Sequence, residues 1–504
     1  MNHSQHGPAP GAAELGRRAG HGARWSALGN AGKNAIDLAV FVLLAHHVAP
    51  AAFGLVAMAA ALIVLVNVIA ALGLGEALVQ RDELEPAHAD SAFWCTLGVA
   101  ATLAALIAAA APWLAAAYGQ PTLAPVLRAL TPLLLLQGLA VVPQALLQRE
   151  FAFRALGLRL LAASVCGGAA GIGLALGGAG VWSLVVQQLL ASGIGLLALW
   201  GRTRWRPRWR CSHRHAAELL VFGRSVIGAR LLNVAASKAD DLVVGLVLGP
   251  VALGYYSVAC RMLLALEQLF CQGIDAVALS AFSRLQSRRD ELRALFLRAT
   301  TLAAALAFPV FGGLALLAPQ VVALVFGPAW LPSAPLLQVL LVAGALQALM
   351  HFNHAVFKAC GQPGLSLRLA LWSTGLNVLT LAVAVRYGIV AVAVSYLLRS
   401  VLIAPLGLWQ VRRLLDLPLA QYFRPWAPVL AAVAAAAAVV RGLQAALPAT
   451  LPAPAALALL VVAGAAVYLL ACRALGVLPG LLSGAAPPTT VAGPVAAALA
   501  RPQR

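Results

Sequence analysis

The residues able to do chemistry in this chain are the few charges set inside long apolar stretches. Lys33 and Asp37 interrupt the first such stretch, Arg224, Arg230, Lys238 and Asp241 a later one, and Arg261, Glu267 and Asp275 the next. A charge in the hydrocarbon core costs roughly 2.5 to 3.5 kcal/mol on insertion scales, so such groups face a bundle interior or a watery cavity. At about 100° per helical residue, Ser26, Asn30, Lys33, Asn34 and Asp37 share an arc of roughly 100°. Arg224, Arg230, Lys238 and Asp241 share about 120° by the same arithmetic, with Asp240 off the arc. Arg261, Gln268, Gln272 and Asp275 share about 60°. Guanidinium groups donate in pairs to phosphate oxygens and an ammonium acts as a point charge, so Lys33, Arg224, Arg230, Lys238 and Arg261 suit a phosphate or pyrophosphate. Asn30, Asn34, Gln268 and Gln272 would line the polar cavity beside them. Asp37, Asp241, Glu267 and Asp275 are carboxylates that could exchange a proton or hold a cation.

Each of these groups also has a plainer reading. Lys33 and Asp37 stand at i,i+4 and could simply neutralise one another, and Arg261, Glu267 or Asp275 could fix helix packing. Arg224 is near enough to a span end to snorkel, and Arg128 and Arg399 are weaker candidates. His351 and His354 have a spacing seen in metal sites, but no carboxylate or cysteine accompanies them, so capping or packing is expected. Seven cysteines without C-x-x-C spacing argue against disulfides and metal sites alike. Neither a metal nor another cofactor is expected.

The elements that position these charges follow from composition. The chain has 504 residues, 62% of them hydrophobic and only 10% charged, where a soluble domain is about half apolar and about a quarter charged. An all-α polytopic membrane protein is the implied fold class. Apolar stretches long enough to cross a bilayer recur about fourteen times. The polar segment 1–24 is followed by no cleavable leader pattern, so the first span is expected to act as the insertion signal.

Basic residues recur in alternate loops. With the N-terminus inside, the inner segments hold Arg81, then Arg149, Arg154 and Arg159, then the run GRTRWRPRWRCSHRH (201–215), then Arg284, Arg288, Arg289, Arg293 and Arg298. Lys358, Arg368, Arg412, Arg413 and Arg424 follow, whereas the outer segments hold Arg386 and Arg441. This is the positive-inside pattern, and it places both termini of a multi-pass membrane protein in the cytoplasm. The run 201–215 is too short to be a nucleic-acid module, and no nucleic-acid partner is expected. Tryptophans beside arginines suit a headgroup boundary, where each basic residue gains about 1 kcal/mol from anionic lipids. The net charge of +19 is then mainly a signal of topology.

A repeat is also visible. VAPAAFGLVAMA (48–59) and LGPVALGYYSVA (248–259) align at an offset of 200, matching Pro50 with Pro250, Ala52 with Ala252, Gly54 with Gly254 and Ala59 with Ala259. GGAGVWSLVVQQLL (177–190) and RYGIVAVAVSYLL (386–398) correspond roughly. Two parallel six-helix halves are expected: a tail over 1–24, a bundle over 25–200, a basic linker over 201–217, a bundle over 218–411, and two extra helices with a tail over 412–504. Transporters built this way commonly hold substrate between the halves. A polar, mainly cationic cleft for an anionic and amphiphilic substrate is the resulting expectation. No G-x-x-x-x-G-K-[ST] stretch is present, so energy would come from a gradient or from removal of product.

Several stretches carry a family resemblance: GLGEALVQRDELEPAHADSAFW (73–94), VPQALLQREFAFRALGLRLLAA (142–163), GAGVWSLVVQQLL (178–190), GPVALGYYSVACRM (249–262) and FGPAWLPSAPLLQVL (326–340). Over residues 25–411 the chain resembles the polysaccharide transporter family of lipid-linked oligosaccharide flippases. The resemblance implies the multidrug/oligosaccharidyl-lipid/polysaccharide superfamily fold, two six-helix bundles forming a V. It also implies export of capsule, exopolysaccharide or O-antigen units on an undecaprenyl pyrophosphate carrier across the bacterial inner membrane, with membrane lipids and polysaccharide polymerase or export machinery as partners. It assigns no cavity residue. A multidrug cation antiporter would want an acidic cavity, and a membrane polymerase or ligase would want a large outer loop; neither fits the charges, and no enzymatic activity is expected.

Overall fold

The computed structural model describes residues 12–477 except 82, 210, 211 and 449. Among them, thirteen helical segments are long and apolar enough to cross a membrane. One of these, Arg230–Gln268, covers two of the expected spans. It lies in α9 (His213–Arg284), whose continuity breaks at Gly249, with φ 82° and ψ −179°. Only glycine adopts that geometry cheaply, and Pro250 then opens the second arm without needing an amide partner. The chain is a multi-pass, all-helical membrane protein.

Two compact units part between Gly254 and Tyr255. In the first, α1 (Ala12–His47), α2 (Pro50–Ala70), the short α3 (Leu74–Gln80) and α4 (Pro86–Ala117) precede α5 (Leu123–Leu130) and α6 (Pro132–Arg149). Then come α7 (Phe153–Leu176), α8 (Val181–Arg202) and the first arm of α9. Small residues set how closely these helices approach, as expected where lipid removes any hydrophobic drive between helices. A methyl group on Gly29 of α1 would come within 2.7 Å of the Gly157 Cα on α7.

The residues of the sequence repeat meet in this unit. A Cβ on Gly54 would overlap the Pro250 carbonyl oxygen and stand 2.9 Å from the Pro250 Cα. Reciprocally, a Cβ on Gly254 would overlap the Pro50 carbonyl oxygen and stand 2.8 Å from its carbonyl carbon. Both prolines begin a helix, Pro50 at the start of α2 and Pro250 just after the Gly249 break. The two copies of the Pro-x-x-x-Gly turn thus cross backbone to backbone, which neither could do with a side chain at the glycine.

The second unit contains the rest of α9 and α10 (Arg289–Leu316), α11 (Ala318–Val325), α12 (Ala334–Ala359), α13 (Pro363–Ala384) and α14 (Ile389–Leu415). The short α15 (Leu419–Phe423) leads to α16 (Trp426–Ala446) and α17 (Ala453–Ala474). One of its apolar clusters joins Phe282, Phe296, Phe357, Tyr422 and Trp426, all buried. The two last helices are attached to this unit: Val429, Ala432 and Cys472 pack with Ala305, and the Tyr468 hydroxyl donates to the Ala305 carbonyl at 2.6 Å.

Candidate functional site

The two polar stripes of the first unit lie on α1 and on the first arm of α9. On α1, Lys33 Nζ donates to Asp37 Oδ2 at 2.5 Å, and both side chains are 37% exposed. One turn earlier Asn30 is exposed and donates to the Ser26 carbonyl at 2.8 Å, and Asn34 is half-buried. On α9, Lys238 Nζ donates to Asp241 Oδ2 at 2.7 Å. Arg230 instead reaches another helix: its Nη2 stands 2.5 Å from Glu76 Oε1 on α3.

Lys33, Arg230 and Lys238 each have a carboxylate within 2.7 Å. The partner of Arg230, Glu76, stands on none of the polar stripes, because α3 is too short to be read as a span. The side chains of Arg224, Gln272 and Asp275 lie outside the described set. Arg261 and Gln268 are exposed in the second unit, and both are engaged in interactions.

The second unit holds a polar group that the sequence only half disclosed. Glu267 has one carboxylate oxygen buried with no hydrogen-bond partner, and Arg399 on α14 is the cation that acts on it. The Arg399 guanidinium lies 4.3 Å from the centroid of the Tyr396 ring, and Gln347 donates to Ser400 Oγ at 3.2 Å. Tyr396, Gln347 and Ser400 carry no charge and sit in apolar runs, so no sequence signal marks them. Arg128 donates to the Ala108 carbonyl at 3.2 Å, a role in holding α5 to α4.

The basic run 201–215 is docked on protein. Past the end of α8, the amides of Arg208 and Ser212 donate to Asp90 Oδ1 at 3.2 Å and Ser91 Oγ at 3.0 Å. Asp90 and Ser91 are both buried on the first turns of α4. The Trp94 indole N–H donates to the Arg208 carbonyl at 2.8 Å, and its ring stacks on Trp209 at 4.2 Å. Trp205 packs edge-on to Phe93. Arg206 turns inward to the Thr203 carbonyl at 2.6 Å. Of the aromatic residues expected at a headgroup boundary, Trp205 is half-buried against Phe93, whereas Trp209 stacks on Trp94 and stays 88% exposed.

At the end of this linker, Glu85, His88 and His215 bring three ligand atoms within 4.8 Å of one another. Hydrogen bonds join these residues to their neighbours as a clasp. His88 Nδ1 accepts the Glu85 amide at 3.3 Å, and its Nε2 faces Glu218 at 3.4 Å. His215 Nδ1 is 2.7 Å from Ser212 Oγ and its Nε2 is 3.2 Å from Glu85. Glu218 also binds Arg81 at 2.7 Å and Arg214 at 3.1 Å. Hydrogen bonds from His88, Arg214 and Arg81, in that order, hold the Glu218 carboxyl down to about 2.

A pH dependence follows from that depression. The folded pKa lies below the unfolded one, so this contribution is complete above about pH 4.3 and is lost as pH falls toward the folded value. Acidification from about pH 5 to about pH 2 is expected to loosen the linker and change the fluorescence of Trp94 and Trp209. Glu218→Gln is expected to flatten that change; an unaltered acid transition in the variant would show that Glu218 does not govern it.

The fold defines the class, an all-helical, multi-pass membrane protein. The lipid II flippase MurJ in an inward closed conformation superposes with a TM-score of 0.72, covering 90% of this chain and 99% of that one at 13% identity. The chain belongs to the polysaccharide biosynthesis protein family, whose model matches residues 43–335. The teichuronic acid biosynthesis protein TuaB of Bacillus subtilis is 27% identical over 410 residues, 80% of this chain and 84% of that protein. The succinoglycan biosynthesis transport protein ExoT of Rhizobium meliloti is 28% identical over 318 residues, 63% of this chain and 64% of that protein.

Proposed function

We propose that this protein is an inner-membrane flippase that moves undecaprenyl-pyrophosphate-linked oligosaccharide repeat units outward by alternating access between its two six-helix halves. The observation that carries the reading is family membership, together with relatives named for polysaccharide biosynthesis and transport that align over most of the chain. Both termini lie in the cytoplasm in this reading, and a polymerase or export complex takes the unit on the far side. No covalent bond is made or broken.

In this reading Lys33, Arg230 and Lys238, with Arg224 and Arg261, receive the pyrophosphate, and Asn30, Asn34, Gln268 and Gln272 contact the sugars. The ion pairs are compatible with that role. Pairing lowers the cost of placing each cation in the membrane. A phosphate can take the ammonium or guanidinium from a carboxylate, because its additional acceptor oxygens make stronger charge-assisted bonds. Asp37 and Asp241 are released in that exchange, so they and the buried Glu267 are the places where proton or sodium movement would couple to substrate; Asp275 is a fourth candidate.

The test is reconstitution. Proteoliposomes loaded with a fluorescent undecaprenyl-pyrophosphate oligosaccharide should show the label becoming accessible to a membrane-impermeant quencher at a rate dependent on the protein. No acceleration over protein-free vesicles, with several glycans and with folded protein, would overturn the assignment.

A further inference from the structure

We infer that Glu76 is a built-in competitor for Arg230, occupying the guanidinium until a diphosphate headgroup displaces it. The inference rests on the flippase reading and adds to it a residue that governs how tightly the headgroup is held.

The placement of Glu76 is specific. Helix α3 has seven residues, and its Leu74, Ala77 and Leu78 are buried in a cluster with Val142 and Ala145 of α6. Positions i, i+3 and i+4 share one face, so Glu76 is directed off that face. Entry into α3 passes through Leu72 at φ 52° and Gly73 at φ 64°. A left-handed leucine is strained and persists only where surrounding contacts enforce it. Here it turns the chain from α2 so that α3 packs on α6 and presents its glutamate to α9.

The pair itself is built to be broken. Arg230 is 54% exposed and Glu76 37%, so the protein does not enclose the pair. The Arg230 Nη2 stands 2.5 Å from Glu76 Oε1. A guanidinium has five N–H donors in a planar fork, and a diphosphate offers it more acceptor oxygens than one carboxylate can. The Lys33–Asp37 and Lys238–Asp241 pairs each lie within one helix and travel together. Arg230 and Glu76 lie on separate helices, so exchange of this pair also frees α9 from α3.

The full-length protein in lipid nanodiscs would be titrated with undecaprenyl pyrophosphate, with thermal unfolding of each variant measured alongside. Glu76→Gln is expected to bind about fivefold more tightly than the native protein, the worth of removing one half-exposed ion pair. Arg230→Gln should bind more weakly, and Glu76→Gln should flip more slowly because release is impaired. If Glu76→Gln unfolds, Glu76→Asp keeps the charge on a shorter arm and should also bind more tightly than the native protein. Equal or weaker binding by a folded Glu76 variant would overturn the inference while leaving the flippase reading intact, provided native protein binds and flips. Failure of native protein to bind the diphosphate lipid would instead remove the reading beneath it, and the inference with it.

Discussion

Replacing both charge pairs of α9 by neutral isosteres, Arg230→Gln with Glu76→Gln and Lys238→Gln with Asp241→Asn, is expected to abolish surface polysaccharide while leaving the protein in the membrane. Pairwise replacement matters because Arg230 has Glu76 at 2.5 Å and Lys238 has Asp241 at 2.7 Å. Removing one cation alone would strand a carboxylate, and any loss of output would then mix binding with misfolding. The neutral pairs leave no orphaned charge but delete two donors to phosphate. A hydrogen bond to a charged group contributes about 1.5 to 3 kcal/mol, so each deletion should weaken headgroup binding by roughly tenfold to a hundredfold. Lipid-linked repeat units should accumulate on the inner leaflet, seen by radiolabelled lipid extraction beside a membrane-fraction immunoblot. Unchanged polymer from a strain carrying all four substitutions would remove Arg230 and Lys238 from the binding site.

Gly54→Ala and Gly254→Ala should each sharply destabilise the purified protein. A Cβ at either position overlaps a carbonyl oxygen of the opposing turn, Pro250 in one case and Pro50 in the other. Backbone atoms cannot swing aside as a flexible side chain can, so the two turns must separate. Overpacking of a well-filled site costs about 1 to 3 kcal/mol, and a backbone obstacle places these variants at the upper end or beyond. Gly98→Ala in α4 is the control, since nothing lies within 4 Å of its added methyl and alanine is about 1 kcal/mol better than glycine inside a helix. Thermal unfolding in detergent compares the three. Native-like melting of Gly54→Ala would mean that the crossing of the two turns contributes little to stability.

Local features of the amino-acid order determined the fold class. Each apolar stretch carries its own signal, because a helix satisfies its backbone internally and needs only enough length to cross the lipid. The Gly249–Pro250 break was legible as a glycine followed by proline between two apolar stretches, and the structure has that glycine at φ 82°. The Lys33–Asp37 pair was open to reading at i,i+4, and its close counterpart Lys238–Asp241 stands at i,i+3. Both are contacts between neighbours on one helix.

What the chain order alone left undecided was every contact between distant segments. Nothing in the order of residues marks Glu76 as the partner of Arg230; the packing of α3 on α6 brings it there. The linker read as a lipid-facing strip because its composition is that of a membrane boundary, yet Asp90, Ser91 and Trp94 take its amides, its carbonyl and one of its rings. The matching prolines and glycines at an offset of 200 announced a repeat but not that its copies meet at those residues. Burial cost determines that an intramembrane charge must find a partner; which partner depends on how the helices are brought together, and only tertiary packing decides that.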